Sequence, residues 1–333
     1  MLLSQSRDEI DERDPSSYRP LVGGQAVLEG VMMRNGDMYG VAVRRQDSSI
    51  VACRRPWITF FPAALTKIPC IRGFPVLVET LYNGVGALNR SAVMMGEVEG
   101  QEISRWQLVV SMIVAAILAM LLFVVAPHLL SFGMFWLQIS GDVEGISFHL
   151  WDGFYKVLIF FGYLWSISLV PDIRRVFCFH GAEHKTIHAF EKEREVSAAT
   201  TMTMSRFHPR CGTTFLLFVV TLSIIIHAVC VPFFISFFLS ISEISKHIIT
   251  ILIKILLIIP ISALSYEIIK GAAKLKTGLL AYILQTPGLF LQRLTTREPN
   301  QEQVEVALVA LHVVLDTEDQ KCVKYVPYTT ISE

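Results

Sequence analysis

Leu108-Val-Val-Ser-Met-Ile-Val-Ala-Ala-Ile-Leu-Ala-Met-Leu-Leu-Phe-Val-Val-Ala126 contains no charged side chain, and after Pro127 the apolar character continues to Leu137. About 20 such residues, wound as a helix, span the hydrocarbon core of a bilayer. Three further runs have the same character: 154–170, closed by Pro171, 213–239 with Pro232 inside it, and 248–264 with Pro260 inside it. Proline is tolerated in such helices where neighbours satisfy the freed carbonyl, so the last two are expected to kink. Composition agrees. Hydrophobic residues make up 53% of the 333 positions and charged ones 17%, against roughly 25% charged in soluble domains.

Between the runs, Lys and Arg are distributed one-sidedly. Residues 1–107 are rich in arginine, 171–212 holds Arg174, Arg175, Lys185, Lys192, Arg194, Arg206 and Arg210, and the tail holds Lys270, Lys274, Lys276, Arg293 and Arg297. The 138–153 segment has none, and 240–247 has Lys246 alone. Basic residues are retained on the cytoplasmic side, so both termini and the central loop are expected there. The expected fold class is an α-helical integral membrane protein of a cytoplasmic (inner) membrane, with four transmembrane helices. Its partner is the lipid bilayer. Lys+Arg and Asp+Glu are equal at 29, so no net field calls for nucleic acid. The six cysteines form no C-x-x-C pair, and disulfides are not expected on the cytoplasmic side. Oligomeric state is left open.

The chain divides accordingly. Residues 1–20 are polar and read as a disordered tail. Residues 21–107 read as a small cytoplasmic β-containing element followed by an interfacial helix. In the former, 39–43 and 50–53 form a hairpin around a polar turn; the latter covers 74–95, where Glu79, Asn83, Asn89 and Arg90 argue against a fifth span. Residues 108–170 and 213–265 each supply two transmembrane helices, separated by a His/Glu-rich loop at 171–212. In the C-terminal region, 266–333, Asn300 is placed to cap an amphipathic helix over Gln301–Leu315.

The loop carries the chemistry: His180-Gly-Ala-Glu183-His184-Lys-Thr-Ile-His188-Ala-Phe-Glu191, then His208-Pro-Arg-Cys211. Wound as a helix, the first stretch places His180, Glu183, His184, His188 and Glu191 within about 140° of arc, one face. His180 and Glu191 lie roughly 16 Å apart along the axis, so one ion engages neighbouring turns only. His180 and His184 stand at the i, i+4 spacing of helical zinc sites, and H-x-x-E-H is the inverted zincin order, with Glu183 as the base. Neutral imidazoles leave a divalent ion, zinc by this donor set, with an open position at which water is acidified. For the third ligand, His208 is preferred over Cys211 and Glu267; His188 and Glu29 are secondary candidates, and Glu29 sits in what reads as a Gly-rich turn.

Four stretches, Gly23-Gly-Gln-Ala-Val-Leu-Glu-Gly-Val-Met-Met-Arg34, His180-Gly-Ala-Glu-His-Lys-Thr186, Phe207-His-Pro-Arg-Cys-Gly-Thr213 and Pro287-Gly-Leu with Thr295-Thr-Arg-Glu-Pro299, resemble the YqhQ-like family of bacterial membrane proteins. That family is a domain of unknown function described as predicted metal-dependent enzymes. The resemblance implies a metal site drawing on His180, Glu183, His184, His208, Cys211 and Glu29, and it implies no substrate.

Two functions fit these readings. One is a membrane-bound metal-dependent hydrolase at the cytoplasmic face, acting on a lipid-linked or membrane-peptide substrate. The other is a non-catalytic scaffold or metal-responsive regulator. Transport is disfavoured on a count of ionisable groups: the four runs are read as holding no Asp, Glu or Arg and only His227 and Lys254, without the intramembrane ionisable pairs that coupled transporters use.

Overall fold

The structure, a computed structural model, describes residues 20–96, 104–192, 196–238, 241–275, 278–316 and 323–325. The expected disordered tail, 1–20, falls outside them except for its last residue. A five-stranded antiparallel meander forms one end of the molecule, with strands in chain order: β1 (Val22–Val27), β2 (Gly30–Asn35), β3 (Met38–Arg44), β4 (Ile50–Pro56) and β5 (Val323–Tyr325). The hairpin expected at 39–43 and 50–53 is β3–β4, in the register Val41↔Cys53 and Val43↔Val51. Three strands, β1, β2 and β5, were not expected. The Gly23-Gly24 stretch is not a turn but β1, paired with β2 through Gly24↔Met33, and the polar tail returns β5 to the far side of β4.

Strand side chains alternate faces, and here both faces are covered. Val31, Met33, Ala42 and Ala52 face a core shared with α5 (Pro171–Lys192) and α10 (Gln301–Leu315). Met32, Val41, Val43 and Cys53 face Ala87 and Met94 of α1 (Gly73–Met95). Gly40 allows α10 to approach: a Cβ there would stand 3.0 Å from the Ala310 carbonyl oxygen. Asn300 caps α10 as expected, accepting from the Gln303 N–H at 2.9 Å. Far from being a surface helix, α10 buries Val304, Ala307, Ala310, Leu311 and Val314 against the sheet.

The other end is helical: α2 (Arg105–Met120), a π-helical turn (Leu121–Val125), α3 (Ala126–Trp136), α4 (Ile146–Ser168), α7 (Gly212–Ile235), α8 (Glu243–Lys274) and α9 (Leu279–Thr295), whereas the short α6 (Ala198–Met202) packs on α5 and α10 at the sheet end. The π turn sits immediately before Pro127, where a missing N–H and a crowding ring would otherwise break the ladder. Among the described residues, three apolar lengths could cross a membrane: Arg105–Trp136, Gly212–Ile235 and Glu243–Lys274. The run at 154–170 lies within α4, which passes the same test only jointly with α5, to which it is joined by a 96° bend. α1 bridges the two ends: one side meets the sheet and the other α8, where Gly73 brings its backbone against Ala263 and Tyr266.

The polar groups in the helical end correct the count made from sequence. Lys156 belongs to the run at 154–170 and His128 to the continuation of the first run. With Asp152, Lys254 and His227 they are buried together, and Lys254 Nζ lies 2.6 Å from Asp152 Oδ1. The argument against transport from missing ionisable pairs therefore falls.

Candidate metal centre

Pro171 opens α5, as expected of a residue whose missing N–H is not needed in the first helical turn, and the helix carries the His/Glu stretch between β1 and α10. Two glycines allow its neighbours to come close. At Gly181 the backbone of Arg297 passes where a side chain would stand, and a Cβ on Gly24 of β1 would lie 2.6 Å from the Glu183 carboxylate. Glu183 is thereby walled in and buried, 4% exposed.

The histidine rings are fixed by backbone. His180 Nδ1 donates to the Thr295 carbonyl at 2.8 Å, His184 Nδ1 to Arg206 at 2.6 Å and His188 Nδ1 to Ser205 at 2.8 Å. A carbonyl oxygen only accepts, so each Nδ1 bears the proton, and in the neutral ring Nε2 presents a lone pair. His180 Nε2 stands 3.2 Å from Cys211 Sγ. Ligand atoms of His180, His184 and Cys211 all lie within 4.8 Å of one another. A tetrahedral zinc site with bonds of about 2.0–2.3 Å separates its ligand atoms by roughly 3.3–3.8 Å, so modest side-chain movement would suit the three to one ion. Backbone acceptors behind ligating histidines are the arrangement that sets the tautomer in metal sites. Glu183 Oε2 is 3.9 Å from His180 Nε2 and 3.8 Å from His184 Nε2.

His208 stands differently. Its Nδ1 accepts from the Arg210 N–H at 3.3 Å, which in the neutral ring leaves the proton on Nε2, 3.5 Å from Glu191. Its backbone is clamped by Gln292 of α9, which accepts from the His208 N–H and donates to its carbonyl, both at 2.8 Å. His188 packs beside it, ring centroids 4.5 Å apart. The remaining sequence candidates lie elsewhere: Glu29, at the β1–β2 turn with φ 50°, pairs with Arg175, and Glu267 pairs with Arg72 at 2.6 Å. Glu191 pairs with Arg210.

Charge in the site follows from burial and neighbours. For His180 burial favours the neutral ring, but Cys211, then Glu183 and the Thr295 carbonyl, outweigh it and hold the pKa at about 9. For Cys211 burial raises the thiol, yet His180 and His184 bring it well below its ordinary value. Its place as N-cap of α7, with the Thr213 N–H directed at Sγ, adds to this. Burial, reinforced by adjacent rings, lowers His208 and His188 to about 4 each. The pair is thus thiolate and imidazolium, a combination in which a metal cation can replace the His180 proton.

The pocket over these groups is also lined by Arg34 and Arg210. Sequence reasoning did not single out Arg34 as a site residue. Its contacts are the Gly36 carbonyl at 2.9 Å and the Trp57 ring at 3.7 Å, and among the described residues no carboxylate pairs with it. Burial lowers its pKa to about 10. Its only signal was the quoted stretch ending at Arg34.

The family described as "Protein of unknown function (DUF1385)" matches residues 68–317, which include His180, His184 and Cys211. The chain belongs to this family. It is 30% identical over 320 residues to the "Uncharacterized protein YqhQ" of Bacillus subtilis (strain 168), covering 90% of this chain and 93% of that one. No solved structure matches. The family region begins after β4, so β1–β4 lie outside it, whereas the likeness to the Bacillus protein extends over nearly the whole chain.

Proposed function

We propose that the chain is a membrane-embedded, metal-dependent hydrolase whose site lies at the cytoplasmic face of the bacterial cytoplasmic membrane. Insertion is supported by the surface of the apolar helices. In Arg105–Trp136 only 11% of the most apolar window is buried, and its ends carry Trp106 and Trp136, each 72% exposed, as residues of the two membrane interfaces do. Soluble monomers rarely leave so much contiguous apolar surface uncovered. The one-sided Lys and Arg distribution supports an orientation with the sheet, α5 and the pocket on the cytoplasmic side.

The observation that carries the chemistry is the pair of imidazoles with tautomers set by backbone carbonyls, meeting Cys211. In this reading His180, His184 and Cys211 hold the ion and Glu183, buried beside both rings, takes the proton of the attacking water. His208 stiffens the loop behind His184. When bound, a zinc ion supplies Lewis acidity, lowering the pKa of water and polarising a carbonyl or phosphoryl oxygen. Arg34 receives an anionic group of the substrate. Cys211 caps α7, so the pocket opens within a turn of a membrane-entering helix, and a lipid-linked substrate or membrane peptide suits it. The test uses full chain in lipid nanodiscs, with chromogenic phosphate and acyl esters as probes. Hydrolysis is expected to be chelator-sensitive and to fall at least about 100-fold in Glu183→Gln with metal content unchanged; chelator-insensitive hydrolysis, or full activity in Glu183→Gln, would sink the reading.

A second reading rests on the 3.2 Å His180–Cys211 pair: Cys211 as a thiolate nucleophile. It differs in predicting hydrolysis that survives chelation and is abolished in Cys211→Ser.

A further inference from the structure

The helical end hides a second polar constellation, none of whose members lines the pocket. α7 leaves the pocket at Gly212, and His227 lies 15 residues on, about 22 Å along the axis. α8 returns antiparallel after a short connection, so its first turns, with His247 and then Lys254, lie at the end of the bundle away from the pocket. There the groups form a row. Lys156 Nζ is 3.1 Å from His227 Nδ1 and 3.5 Å from Asp152 Oδ2. Asp152 Oδ1 accepts from Lys254 Nζ at 2.6 Å, Lys254 Nζ is 3.2 Å from His128 Nδ1, and His128 Nε2 is 3.0 Å from His247 Nδ1. Asp152, Lys156, Lys254, His128 and His227 are at most 2% exposed, whereas His247 is partly exposed.

Two features set this row apart from a structural ion pair. Two ammonium groups face one carboxylate, which leaves a buried positive charge without compensation when both are protonated, and such a charge is expensive in an apolar interior. In addition, His227 Nε2 and the buried His149 Nδ1 have no partner among the described residues, although buried polar atoms are nearly always paired. The remaining charged groups described at this end are Lys246, bound to Glu144 at 2.6 Å and to Glu243 at 3.0 Å, and Asp142, which accepts from the Glu144 N–H at 3.1 Å and with Glu243 lies close enough to His247 to favour its charged form. His149 is tied to the Val143 carbonyl by Nε2 at 3.0 Å.

We propose that this row is a proton-binding site, loaded and emptied from the end of the bundle opposite the pocket through His247 and His128. The donors are aligned for it. Lys254 donates to His128 Nδ1, so the His128 proton resides on Nε2 and is directed at His247 Nδ1. In the outward step the Lys254 proton passes to His128 Nδ1 as the Nε2 proton of the same ring passes to His247 Nδ1. His247 releases its own Nε2 proton to water. Lys254 is left neutral beside Asp152, and the excess buried charge is gone. The reverse sequence loads the site, and Lys156 with His227 forms its blind inner end.

This stands independently of the hydrolase, since failure of the metal test leaves it untouched. The measurement is exchange of the His128 ring N–H with water, followed by NMR on full chain labelled with 15N-histidine in lipid nanodiscs. Wild type is compared with His247→Gln, which can hold a hydrogen bond but cannot relay a proton. His247→Phe repeats the comparison, and unchanged His184 and His188 resonances report an intact sheet end. The exchange rate is expected to fall about tenfold or more in both variants. Equal rates in wild type and variants would overturn the proposal.

Discussion

At the sheet end, three histidines bind backbone carbonyls through Nδ1, and two of them turn Nε2 toward Cys211 and Glu183. In the bundle, the histidines of the row bind side chains instead, His128 meeting Lys254 and His247, and His227 meeting Lys156. Backbone acceptors do not titrate, so they lock a ring in one state and leave its other nitrogen free for a ligand. Side-chain partners titrate with the ring, so a proton can pass along them. The same residue type thus converges on a point in one region and is strung into a line in the other.

The largest expected effect is on the line. Asp152→Ala leaves two buried ammonium groups facing each other, and removing one partner of a buried pair costs about 3–5 kcal/mol. Unfolding in detergent should show that loss, and the triple change Asp152→Leu, Lys156→Met and Lys254→Met should recover most of it. A triple variant as unstable as the single one would mean that the charges are not the problem.

At the point, the lowered Cys211 pKa is testable on metal-stripped protein. An ordinary thiol near pKa 8.5–9 loses roughly 25–50-fold of its thiolate between pH 9 and 7; alkylation of Cys211 should fall far less over that range. His180→Ala should restore the ordinary slope, because Cys211 then loses the first of the cations that lower it.

Smaller effects probe the walls of the point. Gly24→Ala places a methyl 2.6 Å from Glu183, an overpacking of about 1–3 kcal/mol, so it should lower both thermal stability and metal affinity; a change in stability alone would separate the strand from the site. Asn300→Ala removes the α10 cap for about 1 kcal/mol and should leave metal affinity unchanged, since the Asn300 side chain bonds within the first turn of α10 and to no ligand.

Legibility followed the range of the interactions. α7, α8 and α10 could be read because hydropathy and capping are local, and the β3–β4 hairpin because its alternation is. β1 was hidden by Gly23 and Gly24, which carry no strand signal; their small size serves the approach to Glu183, 159 residues away. α4 begins at Ile146, ahead of the apolar run, because Asp152 and Lys156 sit one turn apart on its inward face and lower its hydropathy. The i, i+4 histidines were legible on α5. That the Cys211 sulfur comes within 4.8 Å of the ligand atoms of both was not, because it depends on the direction in which the 208–211 turn leaves its clamp on Gln292. Arg34 comes from β2 by sheet topology alone.

The most direct measurement is the metal content of purified full chain beside a His180→Ala/His184→Ala variant, by plasma mass spectrometry, with intact folding checked in both. The account predicts about one zinc per chain in the wild type and almost none in the variant. Equal, negligible metal in both would contradict it and leave Cys211 and His180 as a thiolate pair without an ion.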